Sequence, residues 1–291
     1  MEINSTIVTT PARAAATVVI LRDSTQGPEV FLIKRHGLSD VLGGAYVFPG
    51  GKVDRFDSEL DAAKHLDQSH QVLHASLNEP DIESHTAAGL YVAALREAFE
   101  ESGVLYADGA DAAQAKVANA LLREGHSFDE MLGLLGLRLQ TRHLLPWVRW
   151  VTPLMPSVMN KRFDTRFFIA AMPEGQQASH NDHESTESVW LTPRTALEQY
   201  RDGSIELAPP QIMSLAHLSR YASVAVALQD ALSRKPPIVQ PEPYDDNGVR
   251  VLTYPGDERH SVRERALPGP TRLRHTDKRF IPEAGFEALF I

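Results

Sequence analysis

The chain reads REAFEESGV at residues 96–104 and FPGGKVD at residues 48–54, and these two stretches carry most of the information about its fold and chemistry. If residues 96–104 are helical, Glu97, Glu100 and Glu101 stand at positions i, i+3 and i+4 and share one face of the helix. Like charges at this spacing destabilise a helix by about 0.2–0.5 kcal/mol per pair. A hard divalent cation, which prefers oxygen ligands, relieves that repulsion. The run therefore predicts a metal-binding helix, and the alternative is an acidic face that is merely solvated.

The residues around the acidic run favour the metal-binding interpretation. Val92, Leu95 and Phe99 place apolar side chains at helical spacing on the opposite face. Gly103 stands where a helix C-cap is expected, and Thr86 is the predicted N-cap. The helix is thus expected to have one buried side and one charged side.

Together the two stretches resemble the Nudix hydrolase family, whose motif reads G, five residues, E, seven residues and REUxEExGU, where U is aliphatic. The family's invariant positions in the second half are occupied by Arg96, Glu97, Glu100, Glu101 and Gly103. Gly51 begins the motif, Asp57 stands where the family has its first glutamate, and residues 58–95 replace the usual seven residues. The resemblance implies an α/β fold: a Nudix α/β/α sandwich with a mixed sheet, a helical insertion inside the motif and a C-terminal extension.

The resemblance also implies roles for individual residues. Glu97, Glu100 and Glu101, together with the main-chain carbonyl of Gly50, are expected to bind Mg²⁺ or Mn²⁺. Arg96 is expected to orient Glu97 and the glycine loop, while Arg35 and Gly51 are expected to contact the substrate. The residue that accepts the proton of the attacking water is left open between Glu97, Glu101 and a glutamate of the loop at 173–186. The loop region offers two candidates for a catalytic carboxylate, Glu184 and Glu187.

The long insertion is typical of the Nudix branch that includes the peroxisomal coenzyme A diphosphatases and their bacterial relatives. FLIKR at residues 31–35 is similar to that branch's LLTxR segment, with Gly44 nine and Phe48 thirteen residues after Arg35. Asp40 stands where a second arginine is expected. The resemblance therefore implies coenzyme A or acyl-coenzyme A as the substrate, cleaved at the pyrophosphate into 3′,5′-ADP and 4′-phosphopantetheine. The insertion at 58–95 is a candidate for recognising the pantetheine arm.

Two alternatives stay open beside this prediction. One is a Nudix hydrolase that acts on ADP-ribose, NADH or dinucleoside polyphosphates. The other is a non-catalytic Nudix module that binds a nucleotide, although loss of catalysis would be expected to leave gaps among the glutamates. In all three cases the expected partner is a small-molecule nucleotide.

Composition limits the classes of function. The chain has 291 residues, a net charge of −9 and no cysteine, which excludes disulfides and cysteine-bound zinc and argues against general nucleic-acid binding. No apolar stretch reaches the roughly 20 residues that span a bilayer. The opening MEINSTIVTT lacks a basic segment followed by an apolar core. We expect a cytoplasmic protein without membrane contact, and a homodimer is left open.

The pattern of apolar residues and turn signals divides the chain into a Nudix domain at 13–233 and a C-terminal extension at 234–291. Within the domain, residues 111–140 are expected to be helical, and they and the insertion are expected to cap the site, pack on the sheet edge or form a dimer interface. Strands are predicted at 15–22, 30–35, 45–48, 146–152, 164–172 and 188–191. Helices are predicted at 193–202 and, as one longer helix, at 210–233.

Overall fold

Two β-sheets organise the part of the chain that the computed structural model describes, which comprises residues 3–4, 6–37, 42–158, 161–181 and 185–291. The strands in this part are β1 (Arg13–Ser24), β2 (Gly27–Arg35), β3 (Tyr46–Val47), β4 (Gly50–Lys52), β5 (Leu145–Val151), β6 (Phe163–Ala171), β7 (Ser185–Leu191), β8 (Ile238–Val239), β9 (Glu242–Asp246), β10 (Val249–Thr253), β11 (Arg272–Thr276) and β12 (Arg279–Pro282). The α-helices are α1 (Arg55–Glu59), α2 (Ala62–His65), α3 (His70–Leu77), α4 (Ser84–Ser102), α5 (Ala112–Arg123), α6 (Phe128–Leu135), α7 (Pro193–Asp202), α8 (Pro209–Leu218) and α9 (Val224–Ser233).

The larger sheet is mixed, and β1 lies in its middle. Its strand order is β3–β2–β1–β6–β5–β8, with β4 paired to β1 and β7 paired to β2. The β1–β6 and β5–β8 pairs are parallel, and the other pairs are antiparallel. Strands β9 to β12 form the smaller, antiparallel sheet.

Strand β1 is apolar on both faces because both faces are covered. Alternate residues point to opposite sides of a strand, so Val18 and Ile20 enter one hydrophobic core, and Val19 and Leu21 enter the other. The first core holds side chains of α3 to α6, and the second holds side chains of α7 to α9 and of the smaller sheet. The predicted α/β/α sandwich with a mixed sheet is confirmed.

Helix α4 is the long helix that carries the acidic run. The predicted N-cap, Thr86, is wrong by three residues, because Glu83 occupies the N-cap position and Thr86 lies within the helix. The helix ends at Gly103, whose φ of 71° is the left-handed conformation that glycine adopts without strain. A Cβ at Gly89 would collide with Ser58, so this glycine allows the insertion to pack directly against α4.

The insertion at 58–95 is helical, as predicted, and it is fastened to the large sheet by buried ion pairs. After α3 ends, the Glu79 carboxylate accepts two hydrogen bonds from Arg166 of β6, at 2.9 and 2.5 Å. Arg149 of β5 lies 2.8 Å from the same carboxylate. These ion pairs therefore fix the end of α3 to β5 and β6, and α3 itself packs against α4.

The predicted long helix at 210–233 is wrong, because the structure has α8 and α9 with a break at residues 219–223. Ser223 caps the N-terminus of α9 by accepting a hydrogen bond from the main-chain N–H of Val226. Within the break, the Tyr221 hydroxyl donates to Asp230 at 2.6 Å and lies 2.8 Å from His217 Nε2. These contacts fix the turn between the two helices.

Residues 234–291, predicted as a C-terminal extension, share the second core with the rest of the chain. Strand β8 adds to the large sheet beside β5. Leu252, Leu273 and Phe280 are buried in the same core as α7 and α8. Within the described ranges, the chain has no helix that is long and apolar enough to cross a membrane.

Candidate active site

The structure brings the glycine loop and the acidic face of α4 into direct contact. The main-chain N–H of Gly50 donates to Glu101 Oε2 at 2.7 Å. A Cβ at Gly51 would collide with the carboxylate of Glu97, so this glycine leaves the space that the Glu97 side chain fills. The two halves of the motif therefore meet despite the 38 residues between Asp57 and Arg96.

The register of β4 determines where the main-chain groups of Gly50 point. Val18 N–H donates to the Pro49 carbonyl, and Gly50 lies opposite Thr17. In an antiparallel ladder, the residue next to such a bonded pair directs its N–H and C=O away from the partner strand. Because the Gly50 N–H reaches Glu101, its carbonyl lies on the same edge of β4, beside the acidic face of α4.

Arg96 is the centre of the hydrogen-bond network. Its guanidinium donates twice to Asp57, at 2.9 Å each, and once each to Glu97 at 2.8 Å, Glu100 at 3.1 Å and the Lys52 carbonyl at 3.1 Å. Burial alone would lower the pKa of Arg96, but the hydrogen bonds to Asp57 and the neighbouring carboxylates outweigh it and raise the pKa. The arginine stays charged and orients two of the three glutamates.

Asp57 supports both the arginine and the glycine loop, although the sequence motif is interrupted just after it. Its side chain is almost fully buried, and besides Arg96 it accepts a hydrogen bond from the Asp54 N–H at 2.8 Å. A buried carboxylate needs such partners, because burying an unpaired charge is costly. Helix α1, which begins at Arg55, places Asp57 there through a capping box with Asp54.

The three glutamates differ in exposure. The side chain of Glu101 is 5 % exposed, that of Glu97 is 14 % exposed and that of Glu100 is 38 % exposed. Arg35 of β2 lies 3.9 Å from Glu101, Nη1 to Oε1. The Asn181 side chain donates to the main-chain carbonyl of Glu100 at 3.2 Å, so the loop after β6 also reaches this end of α4.

Glu187 is not brought to this cluster. It pairs with Lys34 across β2 and β7, Nζ to Oε2 at 3.7 Å. It also accepts a hydrogen bond from the Tyr46 hydroxyl. Burial, and then this hydrogen bond, raise the pKa of Tyr46. Tyr46 belongs to the second core, on the sheet face opposite α4. Glu184, the other loop candidate, lies outside the described residues.

The oxygen atoms gathered here are the kind of ligand that a hard divalent cation prefers, but in this structure the carboxylates accept hydrogen bonds from the protein. Among the residues described, no group of three or more histidine, aspartate or glutamate side chains is arranged as a metal cluster. Glu97 and Glu100 accept from Arg96, and Glu101 accepts from Gly50. Carboxylate oxygens and a main-chain carbonyl are nevertheless the ligands that Mg²⁺ and Mn²⁺ prefer.

A cavity of about 960 Å³ opens beside these groups. Its charged part is lined by Arg35, Lys52, Arg96, Glu97, Glu100 and Glu101. Residues 119–128, around the connection from α5 to α6, contribute to its wall, whereas no lining residue comes from 58–95. The region 111–140 thus faces the site, and the insertion stands behind it.

Comparison with known proteins places the chain among Nudix proteins. The family model described as the NUDT19 Nudix domain matches residues 5–218. The acyl-coenzyme A diphosphatase NUDT19 of Xenopus laevis is 26% identical over 280 residues, covering 81% of this chain and 72% of that protein. The human protein of the same name is 25% identical over 236 residues, covering 69% and 63%. The crystal structure of a NUDIX hydrolase from Alicyclobacillus acidocaldarius superposes with a TM-score of 0.62 at 26% identity, over 79% of this chain and 99% of that one.

Proposed function

The chain belongs to the family of the NUDT19 Nudix domain and is a Nudix pyrophosphohydrolase, and from this premise we propose that it hydrolyses coenzyme A or acyl-coenzyme A at the pyrophosphate. The observation that carries the proposal is the contact between the glycine loop and α4 at the charged end of the cavity. The choice of substrate is supported by the interrupted motif, by Arg35 in the FLIKR segment and by the names of the relatives from Xenopus laevis and human.

We propose that Glu97, Glu100 and Glu101, with the Gly50 carbonyl, bind Mg²⁺ or Mn²⁺. The fit rests on oxygen donors gathered at one end of the cavity. When bound, such ions neutralise the pyrophosphate oxygens and lower the pKa of an attacking water. Arg96 would hold Glu97 and Glu100 in position for such an ion, because Asp57 holds the guanidinium from the other side.

The protein's own groups then have distinct tasks in the reaction. Arg35 and the backbone at Gly51 position the pyrophosphate, since both line the cavity. Glu97 or Glu101 accepts a proton from water while the water oxygen attacks one phosphorus atom and the bridging P–O bond breaks. One phosphate gains the hydroxyl group, and the other leaves with the bridging oxygen. With coenzyme A, the products are 3′,5′-ADP and 4′-phosphopantetheine.

The test is a substrate screen with coenzyme A, octanoyl-coenzyme A, ADP-ribose and NADH, each with and without Mg²⁺ or Mn²⁺. We expect metal-dependent hydrolysis of the first two. Changing both Glu100→Gln and Glu101→Gln is expected to lower kcat by about 10²–10⁴-fold, because metal ions contribute several kcal/mol to stabilising such transition states.

The matched control is Glu287→Gln, since the Glu287 side chain is 65 % exposed and pairs only with Arg194 among the described residues. It should keep wild-type kcat. Metal-dependent activity that survives both changes in α4 would remove the metal assignment. A clear preference for ADP-ribose or NADH over coenzyme A would remove the substrate assignment and leave the Nudix chemistry intact.

A further inference from the structure

The cavity extends well beyond the space that a pyrophosphate occupies, and its far part is apolar. Five of its lining residues are Trp150, Phe163, Phe167, Pro209 and Leu252, which we call the apolar compartment. Trp150 and Phe167 are neighbours, with ring centroids 6.4 Å apart. Most of the charged residues that line the cavity stand instead around α4, β2 and β4, and Arg123 lines it from the end of α5.

The apolar compartment begins close to the glycine loop. Strand β1 pairs with β4 on one side and with β6 on the other, so Gly50, Thr17 and Phe167 lie side by side on three adjacent strands. Neighbouring strands are 4.7–4.9 Å apart, which puts the main chain of Phe167 about 10 Å from that of Gly50. A substituent on a pyrophosphate bound at Gly50 therefore reaches the compartment directly.

The lining of the compartment selects against charged ligand groups. A phosphate placed against Phe163, Phe167 and Leu252 would lose its water without gaining hydrogen bonds, which is costly. The compartment is not wholly without polar groups, because Gln211 also lines the cavity. Its Oε1 is buried and has no hydrogen-bond partner within the described part of the chain. An amide N–H is the kind of group that satisfies such an oxygen.

The C-terminal extension supplies part of this wall. Leu252 belongs to β10 and Pro241 precedes β9, and both line the cavity. Both lie beyond residues 5–218, which the family model matches. Leu252 is held in place by β9 and β11, where it pairs with Pro243 and Leu273.

We propose that the apolar compartment binds the uncharged pantetheine arm of the substrate and that Leu252 determines specificity for it. The inference rests on the proposed function, because the arm enters from a pyrophosphate held at the glycine loop. The arm is long, flexible and uncharged, and its two amides match the polar group at Gln211. ADP-ribose has no such arm. The C-terminal extension, and not the insertion at 58–95, then recognises this half of the substrate.

The two halves of coenzyme A test the compartment without turnover. The dissociation constants of 4′-phosphopantetheine and 3′,5′-ADP are measured by calorimetry with Mg²⁺ for the full chain and for Leu252→Trp, which fills the compartment. We expect the variant to bind 4′-phosphopantetheine at least tenfold more weakly and 3′,5′-ADP within twofold of wild type. Leu232→Trp, at a position that is 65 % exposed on α9, is the matched control and should bind both as wild type does.

A second variant covers the case in which Leu252→Trp fails to fold. Phe163 is only half-buried, and Phe163→Asp introduces a charge at the rim of the compartment; it too should weaken binding of 4′-phosphopantetheine alone. The inference is overturned if either folded variant binds 4′-phosphopantetheine as tightly as wild type. If the wild type hydrolyses coenzyme A but the variants bind 4′-phosphopantetheine as the wild type does, the role of the compartment is wrong and the proposed function stands. If the variants lose binding of 4′-phosphopantetheine alone but the wild type does not hydrolyse coenzyme A, the proposed function is wrong and the role of the compartment stands.

Discussion

Gly51 shows how a single residue without a side chain organises the candidate site. A Cβ at this position would occupy the place of the Glu97 carboxylate. We therefore expect Gly51→Ala to displace Glu97 and to lower kcat by about 10²-fold, which is the typical loss when a catalytic group shifts by about 1 Å. Stability should change little, because the colliding group is the flexible end of a side chain. Steady-state kinetics and thermal unfolding measure the two effects.

Gly133→Ala provides the control for this substitution. A Cβ at Gly133 in α6 would have only Lys64 Nζ nearby, at 3.7 Å, so the variant should keep wild-type kcat. If Gly51→Ala were as active as Gly133→Ala, the close packing of the loop against Glu97 would have no role in the reaction.

The sequence predicted the central residues of the site better than those that depend on strand register. Helical spacing predicted that Glu97, Glu100 and Glu101 share one face of a helix, and the resemblance to the Nudix family implied that this face meets the glycine loop. The structure brings the helix face and the loop together. The contacts of Asp57 were not derivable from the residues alone, because the motif is interrupted directly after it. Glu187 was selected for its place beside a loop, yet it lies within β7 and pairs with Lys34 of β2. The sequence did not reveal that β7 begins at Ser185, three residues before the predicted start of the strand.

Among the secondary-structure elements, the insertion acts as a support for α4, and Glu79 fastens it. Glu79→Gln would leave Arg166, which is almost fully buried, with Asp164 as its remaining charged partner. Removing one partner of a buried pair typically costs about 3–5 kcal/mol, and the pair with Asp164 limits the loss to the lower end of that range. We expect a loss of that order in the free energy of unfolding, measured with urea, and a kcat within about twofold of wild type at permissive temperature.

The control lies within the same insertion. Glu59 pairs with Arg55, whose side chain is 85 % exposed, so Glu59→Gln should change the free energy of unfolding by less than about 0.5 kcal/mol. An equal effect of both substitutions, or a large fall in kcat for Glu79→Gln, would contradict a purely supporting role for the insertion.

Element boundaries followed from the sequence where capping signals are strong. Helix α7 spans Pro193–Asp202, as predicted, because a proline opens it and Gly203 ends it. The break between α8 and α9 was not predicted, because residues 219–223 contain no glycine or proline. It is fixed by side-chain contacts of Tyr221 with His217 and Asp230, which the pattern of residue types does not reveal.

At the scale of the whole molecule, one buried histidine is expected to make folding sensitive to acid. Burial, followed by the charge of Arg234, lowers the pKa of His217 to about 3. The nearby charge of Asp230 favours the protonated ring but does not compensate. In the unfolded chain this pKa is about 6.5. Below pH 6.5 the unfolded state therefore binds a proton that the folded state does not, so this contribution to stability falls by about 1.4 kcal/mol per pH unit as the pH drops.

Urea unfolding of the wild type and of His217→Gln between pH 7 and pH 4 measures this contribution. The difference in stability between the two proteins should shift in favour of His217→Gln as the pH falls, even if the substitution destabilises the protein at pH 7. His143→Gln, at an exposed position, is the control and should follow the pH profile of the wild type. A constant difference between wild type and His217→Gln across this range would show that His217 titrates as an ordinary histidine.

The complete cavity was the feature least accessible to sequence reasoning. Its charged end follows from local spacing, whereas its apolar end combines β5, β6, α8 and β10. Pro241 and Leu252 belong to residues 234–291, which were predicted only as a C-terminal extension. Their place in the cavity wall depends on long-range packing of the smaller sheet against the second core.

The separation of the two cavity ends along the chain has a consequence for how this enzyme can diversify. The acidic face of α4 lies within residues 96–104, and the part of the cavity wall that comes from the C-terminal extension lies at residues 241–252. Substitutions in the second region change the shape offered to one half of the ligand without altering the helix that carries the glutamates. We therefore expect a combinatorial library confined to residues 241–252 to change ligand selectivity while it leaves the acidic face of α4 intact.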